Sequence, residues 1–499
     1  MAKESVKKQK KVDRVRRLLK SPHAHIRALM SILHPTEIAQ VLEDTSPEIQ
    51  ERIVRELPKE LISEAISEMD DDTNPGKLLT LLHPEIASGL IKELAPDDAA
   101  DLLAQIPNEY KNKILYYVPD EEETVLNQLL TYDEDSAGGL MNPELVVVRE
   151  NMTKLEALRE VVRQSEYQDD FYTIYVVDSE NQLRGFLGFK ALFQARNSAM
   201  IKSIMDSEVI SVTEQTDQEE VAKIMAQYNL PTLPVVDNNN RLLGRITFDD
   251  VLDVIEEETT EDILNFAGVS DGENLRGGWS NAVKSRIPWL LVNLVTASIA
   301  GFVISQFDST IEKLVLLTSL MPIIAGVSGN GATQSLAVTI RRISTDGIPS
   351  RKAAGVVMKE LSVGAINGLM LGAVVSMVIT FLNPNPNPQF VAMMGVVVFL
   401  AMFGNLMLAG FAGSFIPLAL ERLRIDPAVA SSILITAFTD IIGYLLLFGL
   451  ASKVLVPLVT TINKAVTSFP SPFWTWPNAP AAAPRTPASK TASALPSAV

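Results

Sequence analysis

The chain of 499 residues is 47% hydrophobic and 21% charged, with 28 Pro, 26 Gly and no Cys, which argues against a disordered tail or a disulfide scaffold and suggests about three domains. Its net charge of −17 is unevenly placed: residues 1–285 hold 53 acids and 30 bases, whereas residues 286–499 hold 7 and 13. Nine bases against two acids in residues 1–20 leave −30 on residues 21–285, an excess that argues against nucleic acid as a partner and points to cations.

No cleavable signal pattern opens the chain, so the first half is expected in the cytosol, a compartment that zero Cys also fits. Residues 1–20 read as a basic arm, solvated or resting on anionic lipid. Residues 21–130 show helical periodicity with frequent Pro, and Leu33-His34-Pro35 returns as Leu82-His83-Pro84, the mark of a small helical superhelix. Asp97, Asp98 and Asp101 open one of its helices, where carboxylates cap the first turn and face water. His23 and His25 lack the additional ligands that a metal site needs.

Residues 131–260 alternate β-branched runs with helical segments: 145–148, a helix from Lys154, 173–177 and 185–188, then 209–212, a helix from Gln218, 233–236 and 244–247. Val-Val-Asp at 176–178 and at 235–237, each followed seven residues later by Gly, sets a repeat of 59 residues and gives units at 131–198 and 199–260. Residues 249–262 then hold eight acids among fourteen. On a helix, Asp250, Asp253 and Glu257 share one face and Glu258, Glu261 and Asp262 another. Like charges so spaced repel by about tenths of a kcal/mol per pair, and by more across a closed interface. Such a surface packs on another acidic domain only when cations neutralise it.

Residues 287–307 carry no charge over 21 residues, enough to cross a bilayer core of roughly 30 Å. A second uncharged run covers 314–340, and a third covers 361–420, divided into two spans by Asn383-Pro-Asn-Pro-Asn-Pro-Gln389, whose prolines break a helix. The fifth, 428–451, has Asp440 as its only charged side chain. Lys284, Arg286, Arg341, Arg342, Arg351, Lys352, Arg422 and Arg424 all fall beside loops on one side. Five spans within 287–460 are therefore expected, with the N-terminus in the cytosol and the C-terminus outside. Residues 461–499, rich in Pro, Ala and Ser, read as a disordered tail, with Trp474 and Trp476 at the membrane interface.

An aspartate at mid-span costs roughly 2.5–3.5 kcal/mol on insertion scales, so Asp440 should face the bundle interior with a partner. It is then either a cation ligand or a structural carboxylate bonded to a neighbouring helix. Pro322, Gly326, Gly329 and Gly331 weaken the second span, whose freed carbonyls would face water or an ion beside Asn330, Thr333 and Gln334. Close packing by small residues fits the same pattern. Thr436 joins Asn330, Thr333 and Gln334 as a pore-lining candidate. Gly364, Gly368 and Gly372, spaced four apart, let a neighbouring helix approach closely.

The tandem repeat resembles a pair of cystathionine-β-synthase (CBS) domains. The flanking segments, Tyr132-Asp-Glu-Asp-Ser-Ala-Gly-Gly-Leu-Met141 and Asp249-Asp-Val-Leu-Asp-Val-Ile-Glu-Glu-Glu-Thr-Thr-Glu-Asp-Ile263, resemble the MgtE magnesium transporter family. So do Gly329-Asn-Gly-Ala-Thr-Gln-Ser335, Arg422-Leu-Arg-Ile-Asp-Pro-Ala428 and Thr439-Asp-Ile-Ile-Gly443, and the resemblance covers residues 30–460 in one order. One departure is Gly-Asn-Gly-Ala where the family usually has Gly-Asn-Ala-Gly.

The resemblance implies a multi-domain fold: an α-helical superhelix, an α/β tandem CBS pair and a five-helix transmembrane bundle, with a connecting (plug) helix at 261–286. It implies a homodimeric Mg²⁺ channel or transporter of the plasma or inner membrane, with Asp440 as the pore ligand. Mg²⁺ would also be the regulatory ligand, held by Asp97, Asp101, Asp250, Asp253, Glu258, Glu261, Asp262, Asp426 and Gly139. CBS pairs often hold an adenine nucleotide such as ATP, and Thr247-Phe-Asp-Asp250 fits the Thr-x-x-Asp that contacts ribose. A capped helix beside a filled cleft explains the same residues, and the first repeat has Gly188-Phe-Lys-Ala191 instead. Competing readings are a Co²⁺ or Mn²⁺ transporter of the same architecture and a membrane-tethered nucleotide sensor; hard oxygen ligands favour Mg²⁺ over softer metals. An enzyme is not expected, since no phosphate loop, zinc motif or nucleophile elbow is present.

Overall fold

The structure, a computed structural model, describes residues 2–19, 25–70, 73–165, 173–270, 278–346, 350–382, 385, 387–429 and 432–468. His23, residues 469–499 of the tail with Trp474 and Trp476, residues 271–277 of the connecting segment and part of the Asn-Pro insert lie outside them, whereas residues 461–468, expected as disordered tail, continue the helix Ser432–Ser468. Two compact units form: residues 1–298 with 332–358 and 412–437, and residues 299–331 with 359–411 and 438–499.

The first unit begins with ten helices between Ala2–Leu19 and Asp120–Leu129 among the described residues. Pro35, Pro47, Pro84 and Pro96 each start a helix, where the missing N–H has no carbonyl to serve. His34 and His83 hold the extended position just before, so the Leu-His-Pro repeat is a repeated helix start. Pro35–Glu43 packs on Lys59–Ser67, that helix on Pro84–Ile91, and that one on Asn108–Leu115. This next-but-one packing is the superhelix. The basic arm is corrected by the structure: Ala2–Leu19 is a helix whose Val12, Val15 and Leu19 are buried in the same core. Lys11 bonds Glu37 at 2.9 Å and Arg16 pairs with Asp44, so apolar burial on one face and ion pairs on the other replace the solvated arm.

The two repeats form two three-stranded sheets, β1 (Val147–Arg149), β2 (Ile174–Val177) and β3 (Leu183–Leu187), then β4 (Val212–Thr213), β5 (Thr232–Val236) and β6 (Leu242–Thr247). In each, the first pair is parallel and the second antiparallel. Val176 faces Gly185 as Val235 faces Gly244, which places the two glycines of the 59-residue repeat at one register. Both must be Gly, because a Cβ would strike the backbone carbonyl of Asp206 in one repeat and of Asn142, at 2.9 Å, in the other. The repeats pair through equivalent residues, Thr173 Oγ1 with Thr232 Oγ1 at 2.9 Å, 59 positions apart.

Among the described residues five helices are long and apolar enough to cross a membrane: Trp279–Ser305, Val315–Ser344, Lys352–Leu382, Pro388–Arg422 and Ser432–Thr461. The expected break in the second span is not present. After a 3₁₀ turn at Val315–Leu320, Met321–Asp346 is one continuous α-helix through Gly326, Gly329 and Gly331. Pro322 falls in its first turn, where no bond is lost, and Leu406 of the fourth span packs 3.0 Å from the Cβ position of Gly331. In the second unit, a Cβ on Gly364 would strike the Leu406 carbonyl, one on Gly368 would lie 2.9 Å from Phe403 Cα, and one on Gly372 3.2 Å from the Phe399 carbonyl. The glycine stripe of the third span thus receives the backbone of the fourth. Gly364→Val is expected to cost about 1–3 kcal/mol by overpacking, since backbone cannot step aside. Gly301→Ala, with open space at its Cβ, should be neutral. Melting of the two variants in detergent checks the contrast.

Candidate metal centres

The acidic surfaces are positioned by three helix ends. Thr247 closes β6 and caps helix Phe248–Ala267. Its Oγ1–H donates to Asp250 Oδ2 at 2.5 Å and its N–H to the same oxygen at 3.2 Å. Helix Pro96–Ala104 carries Asp97 in its first turn, and Asp97 Oδ1 accepts from Asn142 Nδ2 at 3.1 Å. Asn142 is fixed by an exchange of backbone bonds with Arg245 at 2.8 and 2.9 Å. Burial, reinforced by the charges of Asp98 and Asp250, holds the Asp97 carboxyl well above the usual carboxylate range. Burial likewise raises Asp250, against the Thr247 bonds and with help from Asp249 and Asp253. The structure thus brings together a buried carboxylate, Asp97, and a half-buried one, Asp250, that disfavour negative charge.

A second pair lies at the far end of the same helix. Gly268, with φ +73°, stops it in the left-handed region that glycine adopts freely. Ser432 Oγ–H donates to the Phe266 carbonyl at 3.2 Å. There Asp262 is raised to about 6 by burial first and Asp426 second, with Lys223 and Arg341 pulling the other way. Asp426 Oδ1 accepts the Ala428 N–H at 2.8 Å. Glu258 is raised by burial, although it accepts from Gln218 Nε2 at 2.7 Å.

The remaining candidates are more open. Asp101 and Asp253 are exposed, and Glu261 is half-buried and bonds Asn265 Nδ2 at 3.3 Å. Gly139 sits in a turn where a Cβ would lie 2.5 Å from the Asp133 carbonyl. Among the described residues no three His, Cys, Asp or Glu side chains gather at one point. Carboxylate pairs are what is present, and a Mg²⁺ ion that keeps most of its waters needs one or two. For a nucleotide, the structure realises the cap between Thr247 and Asp250, and both bonds use Oδ2.

In the membrane half, Asp440 is half-buried on the fifth span, with Oδ1 sealed from solvent and without a hydrogen-bond partner. Asn330 and Gln334 are exposed on the protomer surface, and Thr333 and Thr436 are half-buried. Sequence reasoning passed over Asn405, which is fully buried in the fourth span with both amide atoms unpartnered. Its signal was the amide itself inside a long apolar run.

Family comparisons bear on the whole chain. A divalent cation transporter (MgtE) family model matches residues 321–450, an MgtE intracellular N domain matches 33–135, and CBS domains match 137–198 and 201–257. The magnesium transporter MgtE of Thermus thermophilus is 32% identical over 435 residues, covering 86% of this chain and 95% of that protein. The magnesium transporter MgtE of Bacillus subtilis is 29% identical over 426 residues, covering 85% and 93%. Among solved structures, the cytosolic domain of the Mg²⁺ channel MgtE in complex with ATP is 35% identical with a TM-score of 0.43, covering 46% of this chain and 93% of that one.

Proposed function

The chain belongs to the MgtE family, and on that premise we propose that it is a Mg²⁺-selective channel or transporter for Mg²⁺ uptake, working as a homodimer in the plasma or inner membrane. The observation that carries the reading is Asp440, a half-buried carboxylate in an apolar span. A carboxylate at that depth is costly in a membrane and marks an ion pathway. The N-terminus faces the cytosol and the C-terminus lies outside, as the basic residues beside the loops suggest.

Regulation follows from the paired acids. Cytosolic Mg²⁺ neutralises Asp97 with Asp250 and Asp262 with Asp426, and the closed arrangement of helical domain, CBS pair and helix Phe248–Ala267 holds the pore shut. Asp101, Asp253, Glu258 and Glu261 extend these acidic surfaces, and Gly139 offers its backbone carbonyl. Asn330, Thr333, Gln334 and Thr436 line the ion path with neutral oxygens.

Uptake into proteoliposomes, measured at low and high Mg²⁺ on the cytosolic face, tests the reading. Mg²⁺ uptake that falls at high cytosolic Mg²⁺ is expected. Uptake of Co²⁺ or Mn²⁺ in its place would reassign the ion, and no uptake of any of them would leave a tethered nucleotide sensor. ATP is proposed in the cleft between the repeats, at Thr247 and Asp250. Calorimetry of the full chain should register ATP binding that Thr247→Val weakens by about 10-fold, as loss of a buried polar contact does; absence of heat would remove the nucleotide.

A further inference from the structure

Two buried polar side chains of the membrane half, Asn405 and Ser328, have no part in the reading above. Asn405 on the fourth span is 0% exposed, and neither its Oδ1 nor its Nδ2 has a hydrogen-bond partner. Ser328 on the second span is also 0% exposed, with Oγ unpartnered, and Asp440 Oδ1 on the fifth is sealed in the same way. Packing draws these spans together. A Cβ on Gly443, one turn beyond Asp440, would lie 2.5 Å from Asn405 Nδ2 and 3.3 Å from Ile324 Cγ2. Ile324 in turn precedes Ser328 by one turn on the same helix face. Leu406, next to Asn405, would lie 3.0 Å from a Cβ on Gly331 of that helix.

A buried amide, hydroxyl and carboxylate oxygen left unpaired inside an apolar bundle are strongly unfavourable. The atoms are enclosed within one protomer, so neither lipid nor a second copy reaches them. What remains is a small guest held inside. Asn405 offers a donor beside its acceptor, which suits water, since water uses both, over a bare cation, which uses oxygen alone. We propose that Asn405, Ser328 and Asp440 Oδ1 bound an internal water site, and that Asn405 is a positioning residue that orients the Asp440 carboxylate through this water. The water donates to Asp440 Oδ1 and accepts from Asn405 Nδ2, leaving the other carboxylate oxygen turned to the ion path. Buried waters that bridge such groups are fixed parts of a fold.

The inference rests on Asp440 serving transport, and its test separates the two. Asn405→Ala and Asn405→Ser leave nearly equal holes and differ by one hydroxyl able to bond the water. Asn405→Ala is expected to raise the KM for Mg²⁺ by about 10-fold, as loss of a residue that orients a ligand does, and Asn405→Ser by no more than about threefold. Equal shifts in the two variants, or none, would assign Asn405 to packing and overturn the proposal. A high-resolution density map of the full chain in lipid nanodiscs gives a readout that needs no transport. A water peak within bonding distance of Asn405 and Asp440 is expected, and protein partners for both amide atoms would overturn it. If wild type fails to move Mg²⁺ while the peak is present, the functional reading falls and the water site stands.

Discussion

Mg²⁺ uptake by Asp440→Ala is expected to fall by about 100-fold or more, because loss of supporting groups around a metal already costs about 10–100-fold and this change removes the ligand itself. Asp440 is the only acidic side chain of the fifth span, and holding a half-buried carboxylate there carries a desolvation cost. Alanine removes both the attraction for the ion and that desolvation cost. Stability and activity should therefore part. Melting in detergent should be unchanged or raised, since the cost of holding a carboxylate inside the apolar bundle has been removed, while uptake disappears. Asp440→Asn should also be inactive, as it keeps the shape and lacks the charge. Wild-type uptake by either variant would show that the ion passes without this carboxylate.

Asp97→Asn is expected to free closure of the cytosolic half from its need for Mg²⁺. Asp97 and Asp250 are both raised by burial, so under the proposed regulation part of the role of Mg²⁺ is to cancel charge at this pair. Asparagine keeps the size and removes the charge, and should shift the ratio of closed to open forms by about 10-fold or more, within the usual range of coupling energies. Limited proteolysis of the wild type should show cleavage in EDTA and protection in millimolar Mg²⁺. The variant should be protected in both, and an unchanged Mg²⁺ requirement would dismiss the pair as a sensor.

Protons should imitate the ion. Asp262 is raised to about 6 where it meets Asp426. The closed form therefore binds this proton more tightly than an open form with an ordinary aspartate, and closure gains as pH falls through about 6 and loses that gain as pH rises past it. Without Mg²⁺, wild type should become more protected between pH 7 and pH 5. Asp262→Asn should flatten that response.

Much of the architecture was legible because it is written in periods. The 59-residue spacing that places Gly185 and Gly244 at one register, the Leu-His-Pro helix starts and the four-residue glycine spacing of the third span all survive into the structure as contacts. What was misread depends on partners distant in sequence. Gly326, Gly329 and Gly331 lower helix propensity locally, yet the second span is one continuous helix. Val12, Val15 and Leu19 carried the helical spacing of a buried face, which the surrounding Lys and Arg obscured. The acidic candidates were recognisable as a surface, but their division into Asp97 with Asp250 and Asp262 with Asp426 needed three dimensions. Asn405 has no motif around it, and its importance arises only from what surrounds it.

The uneven burial of the spans also orders the making of the protein. In the apolar 18-residue stretch of each span, 6% of the residues of the first and 11% of those of the third are buried, against 50% in the fourth. The ribosome thus delivers helices that lipid alone can satisfy well before the helix that gathers the core. Ser328 enters the bilayer two helices ahead of Asn405 and three ahead of Asp440. A nascent chain halted after the third helix is consequently inserted but unassembled, with its glycine stripe bare to lipid, and is the form that membrane quality control would meet first.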